Sequence, residues 1–467
     1  MLIDRRWLVA FAIGLGASLS GGAARANGAF PDSQSIMTPE SRPHEIRLAT
    51  NFGIISSDDD GRTWVWSCER PETNNGSLYQ MGPAPMNRIY VISSEGLAMS
   101  ADDSCGWTVA GGAVAGTTVS DAFPDPTNAS RVLAVAATAG EAGIHYAVLE
   151  SSDGGATFGP TRYAAASGDN ITGVEIARSA PSTVYVAMTS GSTFLPKLAR
   201  STDGGASWNV EDLSAKLPTK TSLIRLVAVD PQNADRVYLR VRSPAGEAFA
   251  VALAGAGGFT VTTPLTFPDG ILSAYARLAS GTIVLAAAVG LAEVGYRSTD
   301  GGASFQPLPA PPSVRALSAR GTTLYVVADN VVDGYAVGTS VDEGQSWRAL
   351  MRYEQIAAIQ SCVKQLCQVD CIARADTGQW SEDFCAATAP ASPDAGSTPS
   401  DGGDASSDAA SDASSDASSD AGGGADASVT PPPTSGCGCA VGAGVAPGAL
   451  AFALLLIALA GGRRQRR

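Results

Sequence analysis

The stretch that decides the fold is STDGGASW at residues 201–208, an octad with serine first, aspartate third, glycine fifth and an aromatic residue last. The pattern recurs as SDDDGRTW at 57–64, SSDGGATF at 151–158, STDGGASF at 298–305 and SVDEGQSW at 340–347. A decayed copy spans 100–107, where Ser104 replaces the glycine. A more doubtful copy spans 252–259, where the aspartate is missing. The chain therefore repeats one local motif seven times.

The chemistry of the octad is that of a tight turn between two strands. Aspartate can accept backbone N–H groups of the turn, and glycine supplies the positive φ that such a turn needs. The serine and threonine hydroxyls add local bonds, and the aromatic side chain packs between strands. These residues are predicted to stabilise the fold and not to form a site. In the five well-preserved copies they are Ser57, Asp59, Gly61, Trp64, Ser151, Asp153, Gly155, Phe158, Ser201, Asp203, Gly205, Trp208, Ser298, Asp300, Gly302, Phe305, Ser340, Asp342, Gly344 and Trp347.

The spacing of the octads predicts the architecture. Their starts lie 42 to 51 residues apart, which is the length of a four-stranded propeller blade. Turns rich in Asp, Pro and Asn, such as 125–128 and 230–233, lead into β-branched runs between the octads. Each blade is predicted as an inner strand, a Pro turn, a second strand, a third strand ending in the octad, and an outer strand after the aromatic residue.

Residues 46 to about 386 resemble Asp-box (BNR-repeat) propellers, a set that includes sialidases, sortilin ectodomains, xyloglucanase-type hydrolases and photosystem assembly factors. The resemblance and the seven octads imply an all-β, seven-bladed Asp-box propeller over residues 27–386. Residues 44–56 would supply the second and third strands of the first blade. Residues 355–369 could then provide its missing inner strand and so close the ring.

Both ends of the chain look like targeting segments. Residues 1–26 combine Arg5 and Arg6, a short apolar stretch and the small-x-small end Ala24–Ala26, as a cleaved secretory signal does. Residues 387–435 are rich in Asp, Ser, Ala, Gly and Pro, so we expect an extended, disordered acidic stalk. The apolar run 440–462 and the terminal arginines predict a transmembrane helix with the preceding chain outside.

The last thirty residues resemble the myxobacterial C-terminal sorting domain, in which a Gly-Cys motif precedes a membrane helix and an Arg-rich tip. Cys437 and Cys439 both match that motif. The resemblance implies processing near one of them by the export and sorting machinery over residues 436–467, and a cell-surface protein that is anchored or released. The alternative is a plain C-terminal membrane anchor. Either way the propeller would face outward.

Export permits disulfides, and six cysteines are candidates: Cys68, Cys105, Cys362, Cys367, Cys371 and Cys385. The spacing of the last four lacks the close pairs of a zinc ribbon, so we expect two disulfides closing a domain edge there. Cys68 and Cys105 lie in neighbouring blades, and we predict that they pair with each other.

No residue pattern establishes catalysis or a cofactor. The net charge is −14 without a basic stripe, which argues against nucleic acid. Asp58, Asp59 and Asp60 lack the glutamate that a calcium loop places at its twelfth position. Sialidases carry an Arg-Ile-Pro or Arg-Leu-Pro motif before the first octad, where this chain has Arg47-Leu48-Ala49.

The remaining polar candidates are interpreted as structural. The acids Asp121, Glu175 and Asp269 are interpreted as solvated loop residues, His44 and His145 as surface histidines, and Arg131 and Arg236 as repeated structural pairings. No residue is therefore assigned as catalytic, cofactor-binding or metal-binding. The favoured function is a non-enzymatic binding or scaffold module for a glycan, peptide or surface partner. The alternative is a glycoside hydrolase of sialidase-like or xyloglucanase-like type, which needs two facing carboxylates.

Overall fold

The computed structural model describes residues 33–68, 78–93, 96–141, 143–191, 193–376 and 381–389. Within this part of the chain, seven antiparallel sheets form the blades of a seven-bladed β-propeller. A short helical segment follows the last blade. The predicted all-β, seven-bladed architecture is confirmed. The predicted signal, stalk, sorting motif and transmembrane helix fall outside the described residues.

The strands follow the chain in blade order. Blade 1 contains β1 (Ser33–Met37), β2 (Ile46–Thr50), β3 (Gly53–Ser57) and β4 (Val65–Ser67). Blade 2 contains β5 (Leu78–Met81), β6 (Ile89–Ser93), β7 (Gly96–Ser100) and β8 (Thr108–Val109). Blade 3 contains β10 (Thr118–Pro124), β11 (Val132–Gly140), β12 (Gly143–Ser151) and β14 (Thr161–Ala164). A two-stranded parallel pair, β9 (Gly111–Gly112) with β13 (Thr157–Phe158), lies beside it.

Blade 4 contains β15 (Asp169–Ile176), β16 (Val184–Ser190), β17 (Pro196–Ser201) and β18 (Asn209–Asp212). Blade 5 contains β19 (Leu223–Val229), β20 (Arg236–Ser243), β21 (Gly246–Gly255) and β22 (Gly258–Pro268). Blade 6 contains β23 (Gly270–Arg277), β24 (Ile283–Val289), β25 (Ala292–Ser298) and β26 (Gln306–Pro307). Blade 7 contains β27 (Ala316–Arg320), β28 (Thr323–Val327), β29 (Val337–Ser340) and β30 (Arg348–Met351).

After blade 7 come a 3₁₀ turn at Tyr353–Gln355, β31 (Ala358–Ile359), a second 3₁₀ turn at Ser361–Val363, helix α1 (Lys364–Asp376) and helix α2 (Glu382–Ala386). No helix in the described ranges is long and apolar enough to cross a membrane.

The order of the strands fixes two faces of the ring. The first strands of most neighbouring blades contact one another around the centre, and β27 meets β1 there, whereas blade 5 contacts β23 through its third strand, β21. Because each blade is an antiparallel meander, the octads and the turns between first and second strands lie at one end, the octad face. The hairpins between second and third strands lie at the opposite end, the hairpin face. Second strands such as β16 are buried along nearly their whole length, because neighbouring blades cover both sides.

The octad turns are held by one repeated set of hydrogen bonds. In blade 3, Ser151 Oγ donates to Asp153 Oδ1 at 2.7 Å and accepts from Gly155 N at 2.8 Å. Asp153 also accepts from the backbone N–H and the hydroxyl of Thr157, at 2.9 and 2.6 Å. The same bonds form around the other four well-preserved aspartates, which are Asp59, Asp203, Asp300 and Asp342.

The octads also bind their neighbouring blades. Arg88 and Tyr90 of blade 2 donate to the carbonyl of Gly154 in the octad of blade 3, at 2.6 and 3.0 Å. Tyr238 of blade 5 donates to Gly301 O in the octad of blade 6 at 3.2 Å. A turn that is capped by its own aspartate therefore presents free carbonyls to the preceding blade.

Two blades depart from the pattern. In the decayed copy of blade 2, Ser104 adopts φ 70° where the other copies have glycine, and Asp102 still accepts from Gly106 N at 2.7 Å. In blade 5 no octad turn forms, because β21 and β22 continue into a tight hairpin between Gly255 and Gly258. With 11 residues, β22 is the longest strand among those described. It contains Pro264, and the β21–β22 pairing has an irregularity between Phe249 and Val251.

The ring closes differently from the sequence-based prediction. Residues 44–56 do supply the second and third strands of blade 1, as β2 and β3. The inner strand, however, is β1 from the N-terminal side, and the prediction that residues 355–369 provide it is wrong. That segment instead adds β31 to the outer edge of blade 1, parallel to β4, and then becomes helical. The sequence of α1 favours a helix, because good helix formers such as Lys, Gln, Leu, Ala and Arg predominate and only Val369 and Ile372 are β-branched.

All six candidate cysteines form disulfides, but the pairing of Cys68 with Cys105 is wrong. Cys68 is bonded to Cys367 in α1, and Cys105 is bonded to Cys362. Cys371 is bonded to Cys385 in α2. Within the four-cysteine segment there is thus one internal bridge, where two were expected. The other two bridges connect the helical segment to blades 1 and 2.

We predict that Asp153→Ala destabilises the fold while Ser152→Ala, an exposed change in the same octad, does not. The Asp153→Ala variant removes the carboxylate that accepts hydrogen bonds from Thr157 and Ser151. Because the carboxylate is exposed, we expect a loss of about 1 kcal/mol in the free energy of unfolding, the lower end for a charged acceptor. Chemical denaturation of both variants measures it. Equal stabilities would contradict the assigned role of the aspartate.

Candidate functional site

Carboxylates bridge successive blades, in each case by accepting a backbone N–H group from the inner strand of the next blade. Asp121 on β10 accepts from its own neighbour Ala122 N at 2.9 Å and from Val174 N on β15 at 2.8 Å. Glu175, the next residue on β15, accepts from Val229 N on β19 at 2.6 Å. Glu247 of blade 5 accepts from Leu272 N on β23 at 2.8 Å. Each bridge lies beside a β-bulge in the inner strand that donates the N–H group, because the irregular pairing leaves such a group free.

Burial perturbs two of these carboxyls strongly. Desolvation by the surrounding inner strands raises the pKa of Asp121 to about 6, against the opposing effect of its two backbone hydrogen bonds. Desolvation, together with the nearby charge of Asp121, raises the pKa of Glu175 to about 8. Water still reaches part of each side chain, but protein surrounds the carboxyl groups.

The interpretation of Asp121 and Glu175 as solvated loop acids is therefore wrong. Sequence alone places them near inner strands, but it does not show that the next blade supplies the N–H group that each one binds. Asp269 does lie exposed in the turn between β22 and β23, as expected. A pair of coupled carboxyls with raised pKa values is a frequent feature of acid–base sites. Here both oxygens of Asp121 are already hydrogen-bonded to backbone, which suits a structural bridge.

The other polar candidates have structural partners. Arg47 is 1% exposed and donates to Asp58 Oδ1 at 2.7 Å, so its guanidinium does not face a ligand. His44 pairs with Asp60 at 2.7 Å on the surface. Arg131 and Arg236 bind the turn carboxylates Asp125 and Asp230 of their own blades, as expected. Among the described residues, no group of three or more His, Cys, Asp or Glu could hold a metal ion.

A cleft of about 230 Å³ lies between blades 4 and 5 on the octad face, where blade 5 lacks its octad. Arg200 in this cleft is bonded to the hydroxyl of Tyr185 and to the carboxylate of Asp235. The indole N–H of Trp208 donates to two backbone carbonyls. The Arg200–Asp235 pair joins blades 4 and 5, and the indole of Trp208 joins blade 4 to Arg162 of blade 3, so we assign no ligand to the cleft.

The hairpin face carries exposed apolar side chains at the tips of separate blades. Leu291 is fully exposed in blade 6, Val331 and Val332 are 66% and 73% exposed in blade 7, and Ile144 and Phe194 are more than half exposed in blades 3 and 4. We call these five residues the apolar rim. They were not predicted from the sequence, although an apolar residue within a polar turn, as in Asp329-Asn330-Val331-Val332-Asp333, indicates such a position.

Phe194 is presented by a strained backbone. Its φ of 54° lies in the left-handed region, which a bulky side chain rarely adopts. The loop holds this conformation because Phe194 N donates to Ser190 O at 2.7 Å and Ser190 Oγ contacts the Thr193 hydroxyl at 2.9 Å. Strained residues of this kind persist mostly where a site requires them.

Comparisons with known proteins agree on the fold alone. No family model and no curated protein matches the sequence. Similar solved structures include a puromycin hydrolase mutant (TM-score 0.50, 12% identity, 70% of this chain and 54% of that chain). They also include the GH74 enzyme of Niastella koreensis (0.48, 15%, 70% and 55%) and YCF48 from Cyanidioschyzon merolae (0.43, 13%, 63% and 92%). The match spans about half the length of the GH74 enzyme. The class defined here is a seven-bladed β-propeller.

We predict that the protein loses stability as the pH rises through 6 to 8. A carboxyl whose pKa is raised in the folded state contributes stability below its unfolded pKa of about 4, and that contribution is lost as the pH passes the folded value. In the Glu175→Gln variant the side chain cannot ionise, so the free energy of unfolding should fall less steeply as the pH rises. Denaturant unfolding at pH 5 and pH 8.5 measures both proteins, with Glu354→Gln, an exposed change, as the control. Parallel declines in wild type and Glu175→Gln would refute the assignment.

Proposed function

We propose that this protein is a non-enzymatic binding module that uses the hairpin face of the propeller to hold a protein partner at the cell surface. The observation that carries the proposal is the apolar rim, which exposes five large apolar side chains at one end of the ring. Exposed apolar groups grouped on one face are typical of interaction sites. The inner-ring carboxylates, by contrast, are occupied by bonds between blades.

The composition of the apolar rim favours a protein over a glycan. Four of its five side chains are aliphatic. Sugars are usually held by aromatic faces and convergent polar groups, whereas aliphatic side chains gain free energy by contacting other apolar surface. The tips belong to blades 3, 4, 6 and 7, so a partner that engages several of them must extend across the face.

Targeting patterns near both ends of the sequence support a location at the cell surface. We propose that residues 1–26 direct export and that residues 436–467 anchor the protein, with processing at Cys437 or Cys439 deciding whether it stays attached. The acidic composition of residues 387–435 supports a spacer, because mutual repulsion between its carboxylates extends the chain. In this arrangement the Asp-box propeller stands clear of the cell envelope.

We predict that the triple variant Leu291→Ser/Val331→Ser/Val332→Ser loses its partner while remaining folded. Intact cells are treated with a membrane-impermeant cross-linker, and the protein is then purified and its adducts identified. Each buried aliphatic side chain contributes about 1 kcal/mol to binding, so the adduct should fall at least tenfold. Val341→Ser is the matched control, because Val341 is 80% exposed on the octad face. Equal adduct yields in both variants would refute the site. If the cross-linker fails to label the protein on intact cells, the surface location is refuted.

A second candidate is a glycoside hydrolase of sialidase-like or xyloglucanase-like type. What supports it is the electrostatic coupling of Asp121 and Glu175, whose raised pKa values suit a general acid. If it is correct, the wild-type protein releases reducing ends from xyloglucan or cleaves sialosides. Glu175→Gln would then lose at least a hundredfold in kcat with KM little changed. A wild-type protein that leaves these glycans intact, with circular dichroism showing it folded, would eliminate this candidate.

A further inference from the structure

The three disulfides define how the propeller responds to tension applied at its C-terminal end. The bridge from Cys68 to Cys367 closes a loop with a sequence separation of 299 residues, which contains blades 2 to 7. The bridge from Cys105 to Cys362, with a separation of 257, lies inside that loop. We call these two bridges the covalent clasp. The third, from Cys371 to Cys385, joins α1 to α2 over a separation of 14.

Without the clasp, a pull on the C-terminal end would act on the weakest elements in turn. It would draw away α2 and α1, then the two-residue strand β31, and then β30 of blade 7, whose backbone pairing with β29 covers three residue pairs. Peeling a strand from the end of a sheet breaks its hydrogen bonds one after another, so little force is needed. Among the described residues, no strand of blade 7 pairs through its backbone with a strand of blade 1, so the ring would open there.

With the clasp, the same pull follows a covalent path around that junction. It passes from Cys385 to Cys371, along one turn of α1 to Cys367, and then into blade 1 at Cys68. The helical segment is also hydrogen-bonded to both blades. Gln360 N donates to Trp66 O of blade 1 at 2.8 Å, and Gln360 Nε2 donates to Asp103 O of blade 2 at 3.0 Å. Within the segment, Lys364 Nζ donates to the carbonyls of Ala386 and Ala387.

We propose that the covalent clasp is a device against mechanical unfolding, which transfers tension from the C-terminal tether directly to blade 1 and so bypasses the strand pairings of β31 and blade 7, with the bridge to blade 2 held in reserve. The device suits the proposed surface anchoring, because tension on the tether then reaches the ring without first peeling β31 and β30 from their sheets. Its test, however, depends only on the bridges. A failure of surface location would leave the clasp intact, and a failure of the clasp would leave the location untouched.

The order of the bridges along the chain determines how much chain length can be released under tension. Pulled between its ends, the oxidised propeller can release only residues before Cys68, between Cys367 and Cys371, and after Cys385. These are roughly 45 residues, or about 15 nm of extended chain at about 3.5 Å per residue. The same region without the clasp can release about 120 nm. The difference is about eightfold.

Single-molecule force spectroscopy of the full-length chain in detergent solution, with handles on N- and C-terminal tags, tests this directly. We expect a contour-length gain of about 15 nm for the oxidised protein and of about 120 nm for Cys68→Ser/Cys105→Ser/Cys362→Ser/Cys367→Ser. The matched control Cys371→Ser/Cys385→Ser keeps the clasp and should add only about 5 nm. An oxidised protein that extends beyond 100 nm, or a quadruple variant as short as the wild type, would overturn the proposal.

Reduction under constant force covers the case in which the quadruple variant does not fold. With dithiothreitol present, the Cys371–Cys385 bridge and the outer Cys68–Cys367 bridge of the wild-type protein carry the load in series and shield the inner bridge. Cleavage of the Cys371–Cys385 bridge should release about 5 nm and cleavage of the outer bridge about 15 nm. Cleavage of the Cys105–Cys362 bridge should release about 90 nm, and only after the step of about 15 nm. Steps in the reverse order, or a single step, would overturn the proposed path of the load.

Discussion

The structure depends on the capping of one turn by one carboxylate. In each preserved octad the aspartate occupies the N–H groups of its own turn, with help from the serine two residues before it. The carbonyls of the same turn are thereby left to the preceding blade, where Arg88, Tyr90 and Tyr238 use them. Hydrogen bonds from neighbouring residues hold these carboxyls ionised. Against the effect of burial, bonds from Thr157 and Ser151 lower the pKa of Asp153 to about 2. Bonds from Ser304 do the same for Asp300.

The octad face and the inner ring respond to acid in opposite directions. The lowered pKa values of octad aspartates such as Asp153 contribute stability above pH 4, and this contribution is lost as the pH falls toward 2. The raised pKa values of Asp121 and Glu175, by contrast, favour the folded state below pH 6. The two sets of carboxyls are built from the same residue types. Their environments differ because the octads face solvent and the inner strands surround one another. The fold is consequently suited best to mildly acidic conditions.

The sequence predicts those parts of the fold whose interactions are local. An octad contains its own hydrogen-bond partners, so its spacing reveals seven blades, their strand order and the structural role of Asp203. What it does not predict depends on residues far apart. The inner strand β1 has a short, largely polar sequence, and it becomes a strand only because blades 2 and 7 flank it. The partners of Cys68 and Cys105 lie across the ring closure. The burial of Glu175 requires the inner strand of the next blade.

Because blade 5 lacks an octad, its outer strand β22 presents a long edge to other molecules. Outer strands of two to four residues, such as β8 and β26, offer too few unpaired backbone groups to template another sheet. The outer strand β22 is far longer, and its edge could align with that of a second molecule at high density. Pro264 in its middle has no N–H to donate, and the irregular pairing beside it twists the strand. Pro264 therefore makes the edge of β22 a poorer template for pairing with another strand.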